Sequence, residues 1–193
     1  MNRFMNLILS VTLILALCSG CMDYKSITTI DSVKESVFTS YIGTNIGEVS
    51  NVSALIKQLP GGETFKKINI NGEYVQITYG YSQGDIPDGQ IDNYWFGKSS
   101  TLTETFLYNA IYEAILIPNA KNYEVIVDNR RFEVSREEMK TWLQQQFSDF
   151  PEDLYNGKEV NHFLIKHQQD IQQLVKTPSM RKIFFARHPI TKF

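Results

Sequence analysis

Cys21 is the residue whose chemistry is easiest to name. It closes an apolar leader as Leu17-Cys18-Ser19-Gly20-Cys21, where a thiol directly after a small residue can accept diacylglycerol before cleavage frees its amine. Three carboxylates, Asp85, Asp88 and Asp92, share a short stretch with Gly84 and Gly89 and invite a weak calcium loop. Their spacing departs from the Asp-x-Asp-x-Asp-Gly pattern, and Phe96 stands where a bidentate Glu belongs, so a solvated turn is the plainer reading. Tyr74, Tyr94 and Trp95 are a candidate ligand surface on which wall sugars or peptides could stack. Strand packing would use the same aromatics. Asp85 or Asp88 beside Tyr94 or Trp95 is the arrangement from which a small envelope hydrolase could be built.

Three histidines follow, His162, His167 and His188. A helical two-histidine metal site needs a spacing of three or four, whereas His162 and His167 are five apart. His167 continues the apolar side of Phe163, Leu164 and Ile171, so a satisfied, partly buried imidazole is expected. No Gly-x-Ser-x-Gly elbow, phosphate loop or dinucleotide fingerprint occurs, and no metal or cofactor is expected.

Arg3, the run Leu7 to Leu17 and Ser19-Gly20 have the layout of a secretory signal, and the run is well short of the ~20 apolar residues of a spanning helix. Removing 1–20 from the 193 residues leaves 173, enough for one domain with a real core. Arg3 is the only charge lost, so 19 basic residues become 18 against 21 acidic ones. That balance argues against nucleic acid as a partner. Both cysteines lie in or at the end of the leader, which excludes a disulfide framework, a cysteine nucleophile and cysteine-type zinc sites from the domain.

The residues that could do chemistry must be positioned by elements with two different periods. Asp31 to Phe38 suggests a brief helix, and Asn45 with Glu48 reads as a capping box before Val49, Val52, Leu55, Ile56 and Leu59. Phe65 to Ile70 and Tyr74 to Tyr81 flank Asn71-Gly72 as a hairpin, and Asn93 to Gly97 suggests a further strand. Thr101 with Glu104 opens the strongest apolar stripe, from Leu102 to Ile115. Tyr123 to Val127 and Arg131 to Val134 form a second hairpin around Asp128-Asn129. Ser135 with Glu138 caps a helix carrying Met139, Trp142 and Leu143. A last helix runs from about Lys158 to Val175, and a tail of Lys, Arg and Phe follows it. That tail packs on the core or meets an anionic surface. The fold expected is α+β, an antiparallel sheet built from hairpins with helices packed on one face.

Two stretches carry a likeness beyond pattern. One runs from Tyr41-Ile42-Gly43 through Leu59-Pro60 to Ile77-Thr78-Tyr79. The other runs from Asn109-Ala110 through Ile117-Pro118-Asn119-Ala120 to Val134-Ser135-Arg136-Glu137-Glu138. Together they resemble the domain of unknown function 4825 family, seen in lipoproteins and membrane-anchored proteins of Gram-positive bacteria. The family pattern has Asp after the glycine of the first motif, where this chain has Thr44. The resemblance implies fold and location and no particular chemistry.

The expected organisation is a signal peptide over 1–20, a tether over 21–30, an α+β domain over 31–150 and a C-terminal helix and tail over 151–193. The expected function is a non-enzymatic binding module, attached to the outer face of the cytoplasmic membrane through diacylglycerol and palmitate on Cys21. Its expected partner is an envelope protein or wall polymer. A small hydrolase, or a ligand sensor acting with a membrane peptidase or sigma-factor regulator, is the alternative.

Overall fold

The computed structural model describes residues 25–81 and 86–193. The signal peptide and Cys21 lie outside the described residues, as does Asp85. Chain order begins with a 3-10 helix, Glu35–Tyr41, and α1, Val49–Ile56. The first hairpin follows as β1, Phe65–Asn71, and β2, Tyr74–Tyr79. Two helices, α2, Asp88–Phe96, and α3, Thr101–Leu116, lead to a second hairpin of β3, Asn122–Val127, and β4, Arg130–Ser135. The chain closes with α4, Arg136–Gln146, α5, Gly157–Lys176, α6, Pro178–Arg187, and a two-residue strand β5, Thr191–Lys192.

The fold is α+β, with one five-stranded sheet in the order β1-β2-β3-β4-β5. Both hairpins are antiparallel, and Gly72 and Asp128 hold the positive φ that two-residue turns require. The hairpins join through a parallel β2–β3 pair, from Tyr74↔Asn122 to Tyr79↔Val127. The sheet is mostly antiparallel and built from the two hairpins, as expected, and this pair is the parallel join between them. A parallel neighbour needs a long crossover, and the α2–α3 segment supplies it.

Val75, Ile77, Tyr79, Tyr123, Val125, Val127, Phe132 and Val134 bury one face of the sheet. Helix α3 is the centre of the layer that meets it, buried on every side from Thr105 to Leu116. The opposite sheet face is mostly polar, and among the described residues no helix lies over it.

Several local expectations change. Asn93 to Gly97 belongs to helix α2, not to a strand; Ile91 and Trp95, one turn apart, are both buried. Aromatic richness suggests a strand there, and tertiary burial of the i, i+4 pair overrides it. Asn45 does not cap α1: its Oδ1 accepts from Gly47 N at 2.8 Å, and Glu48 takes the cap position. Glu104 forms no capping box with Thr101, because its carboxylate is drawn to Arg181 Nη1 at 3.1 Å. The Ser135–Glu138 box is complete, with Glu138 N donating to Ser135 Oγ at 3.2 Å and Ser135 N to Glu138 Oε2 at 3.1 Å. Ser135→Ala is expected to cost about 1 kcal/mol, read as a lowered melting temperature.

The segment read as tether is part of the fold from Ile27 onward. Ile27 and Ile30 are buried, Gly61 N donates to Thr28 O at 2.9 Å, and Thr28 N donates to Glu63 Oε2 at 2.8 Å. The C-terminal tail is folded too. Phe184 is buried against Trp142 and Phe132, and Arg181, 9 % exposed, donates to Val175 O at 2.7 Å.

Candidate functional site

The uncovered sheet face is arranged as three rows across the strands. Register places Asn71, Tyr74, Asn122 and Ser135 in one row, and Asn69, Gln76, Glu124 and Glu133 in the next. The third holds Lys67, Thr78, Ile126, Arg131 and Thr191. Side chains two apart along a strand share a face, so these rows form one surface. At its middle Glu124 is only 2 % exposed although no helix among the described residues covers it. Gln76 Nε2 donates to Glu124 Oε2, and Arg131 Nε lies 2.6 Å from Glu124 Oε1 as an ionic contact.

Glu124 stands directly opposite Glu133, a like-charge pair that would repel. Arg131 offsets it. Tyr74 borders the cluster; burial first, then its hydrogen bond to Glu124, push its phenol above the usual range, so it stays a neutral donor. Arg131 also carries the ring of Phe193 at 4.9 Å from its guanidinium carbon. The result is a charge-balanced surface of amides, two carboxylates, a guanidinium, an ammonium and a half-buried phenol. Such groups can pair with hydroxyls and amides while an aromatic edge meets an apolar ring face.

The candidate aromatic surface divides. Tyr74 is on the open sheet face, whereas Trp95 is 1 % exposed and lies in the core on the other side. Trp95 packs against Tyr79, Tyr94 and Phe106, and its Nε1 donates to Thr64 Oγ1 at 3.1 Å. Trp95 is therefore a core residue and not a ligand contact. Tyr94 is half-buried, edge-on to Trp95, with its hydroxyl 3.2 Å from Thr105 Oγ1. Tyr74, Tyr94 and Trp95 form no common surface.

Asp88 and Asp92 sit one turn apart on α2 rather than in a calcium loop. Asp92 accepts the Tyr81 hydroxyl, and that bond pushes the Tyr81 phenol up to about 12. Among the described residues no group of three His, Cys, Asp or Glu side chains is disposed to hold a metal. His167 is satisfied and partly buried: Nε2 lies 2.9 Å from Asp149 Oδ1, Nδ1 lies 2.8 Å from Asp170 Oδ2, and the ring rests against Phe147 and Phe163. Hydrogen bonds from Lys166, then His167, hold the Asp149 carboxyl down at about 2.

Two carboxyl groups, one buried and one partly buried, escape sequence reading altogether. Glu113 is fully buried in α3 with no hydrogen-bond partner for either oxygen among the described residues, and burial pushes its carboxyl up to about 8. One turn earlier, Asn109 Nδ2 donates to Pro60 O at 3.1 Å and to Tyr79 Oη at 3.3 Å. A lone Glu between Tyr112 and Ala114 in an apolar run is the signal that could have found it. Glu35 is the second: burial raises its carboxyl, against hydrogen bonds from Tyr108 at 2.7 Å and Gln172 at 2.9 Å. The Gln76–Glu124–Arg131 cluster was also missed, although the period-two alternation of β2 sets Tyr74, Gln76 and Thr78 on one side.

The position after Gly43 is filled by Thr44, whose buried hydroxyl donates to Tyr41 O at 2.6 Å and closes the turn. A family model described as Domain of unknown function (DUF4825) matches residues 38–140, which takes in both hairpins, α1 to α3 and the Ser135–Glu138 cap. No curated protein and no solved structure matches the chain. The match spans more than half of the chain and covers the sheet that carries the open face, and the chain belongs to the DUF4825 family.

Proposed function

We propose that this protein is a lipid-anchored, extracytoplasmic binding module that holds a neutral, hydroxyl-rich envelope polymer on the open face of its sheet. The observation that carries the binding half is Glu124, held by Gln76 and Arg131 in the middle of a face that no helix covers. A carboxylate buried in this way holds Gln76 and the half-exposed Arg131 in place in advance, so the groups that face outward have little side-chain entropy left to lose on binding. Charge balance on the face favours a neutral ligand over an anionic one. The location half rests on Cys21 after Gly20 at the end of the leader. Among the described residues no helix is long and apolar enough to cross a membrane, so a spanning anchor would have to lie elsewhere.

Co-sedimentation with purified wall sacculi tests the binding half. Tyr74→Ala is expected to weaken retention about tenfold, the scale of one lost aromatic contact. Asp88→Asn, on α2, is expected to bind like the parent. Unchanged retention of Tyr74→Ala would remove the sheet face from the reading. Metabolic labelling with an alkynyl palmitate, lost in Cys21→Ser, tests the anchor.

A further inference from the structure

Only five residues, 22–26, separate Cys21 from Ile27, the first core residue among the described ones. Fully extended, that link reaches about 20 Å. An acyl chain on Cys21 therefore holds one pole of the domain at the bilayer surface and gives it no stalk. The pole is the one built around residues 25–31, fastened by the Gly61–Thr28 and Thr28–Glu63 hydrogen bonds.

Three exposed lysines surround this segment. Lys25 is within it, and its carbonyl accepts from Gln90 Nε2 on α2 at 3.4 Å. Lys98 lines a cavity of about 580 Å³ shared with Thr29, Ile30 and Asp31. Lys57 ends α1 beside the Gly61–Gly62 turn, where a Cβ on Gly62 would lie 2.4 Å from its carbonyl oxygen. Its ammonium rests 5.4 Å from the Phe65 ring centroid. None of the three is in an ion pair among the described residues. The acidic neighbours are engaged or turned aside. Asp31 pairs with Lys176, Glu104 in the same cavity pairs with Arg181, Glu63 accepts from Thr28, and Asp92 holds the Tyr81 hydroxyl.

We infer that this lysine pole docks on an anionic membrane surface, fixing the orientation of the domain. The inference rests on the lipid-anchor reading. A short link lets the lysines come within a Debye length of the headgroups, where each gains about fivefold in favour of contact.

Amine footprinting of the acylated protein, taken from cells that express the full chain and reconstituted into vesicles, tests it. Lys158 is the internal control: it is exposed at the start of α5, about 27 Å along the helix axis from Lys176 at the tether pole. On phosphatidylglycerol vesicles, labelling of Lys25, Lys57 and Lys98 is expected to fall about fivefold relative to Lys158. On phosphatidylcholine vesicles the protection is expected to shrink. Acylated protein whose three lysines label like Lys158, or are equally protected on both vesicles, overturns the docking and leaves the anchor standing. Absence of an acyl group on Cys21 in the mass spectrum overturns the anchor, and the docking with it.

Discussion

Glu113→Gln is expected to become progressively more stable than the parent as pH rises. The carboxyl has no partner, so the folded state keeps it protonated, with its pKa at about 8 against 4.5 when exposed. Between those values the folded chain binds a proton that the unfolded chain has released. The stability this contributes is fully present below pH 4.5 and is lost as pH rises toward about 8. At about 1.4 kcal/mol for each tenfold change, the whole cycle is worth about 5 kcal/mol, a large share of a domain's net stability. An amide cannot ionise, so Gln at 113 is exempt. Urea unfolding of both proteins at pH 4, 6 and 9 reads the effect directly. A difference between them that stays flat with pH would show that Glu113 does not ionise within this range or has a partner when it does.

Trp95→Ala is expected to cost about 3–5 kcal/mol, the scale for emptying a buried Trp site. The indole is in contact with three aromatic rings, and its N–H is spent on Thr64 Oγ1, which in turn donates to Gly61 O at 2.7 Å. Gly61 has φ +80°, and a Cβ there would stand 2.7 Å from Trp95 Cζ2, so turn and ring are fitted to each other. Loss of the ring would loosen the same turn that bonds Thr28 and fixes the entry of the chain. A denaturant midpoint shift checks the magnitude. If the variant keeps parental stability and loses only retention on sacculi, Trp95 belongs to a ligand surface and the packing described here is wrong.

The two substitutions also separate what is stability from what is recognition. Tyr74→Ala removes a half-exposed ring from the polar face and is expected to change binding far more than folding. Trp95→Ala does the reverse. Both residues are aromatic and fall near the same sheet, and only the register of β2 and the burial of α2 tell them apart.

Much of the architecture was legible in the order of residues. Asn71-Gly72 and Asp128-Asn129 announce their hairpins because few residues adopt positive φ, and Gly72 and Asp128 do so here. Ser135 and Glu138 specify a cap that needs nothing beyond four consecutive residues. The helical span of α3 and the start and end of α5 follow from local pattern in the same way, although α3 is buried on every side and not along one stripe. All of these are decided by contacts within a few residues, which is why the chain order suffices.

Contacts between distant segments settled the rest. The parallel joining of the two hairpins depends on where α2 and α3 let the chain return, and no short motif encodes that. Segment 88–96 is a helix because the core accepts Ile91 and Trp95 together, against its strand-like composition. Glu104 leaves its cap for Arg181, 77 residues on, and the tail becomes a packed helix around Phe184. The candidate site shows the same division. Alternation puts Tyr74 and Gln76 on one side of β2, but only the pairing of β2, β3 and β4 brings Gln76, Glu124 and Arg131 together. A face is a local property of one strand, whereas a cluster across three strands is the work of register, and register is set by the whole buried core.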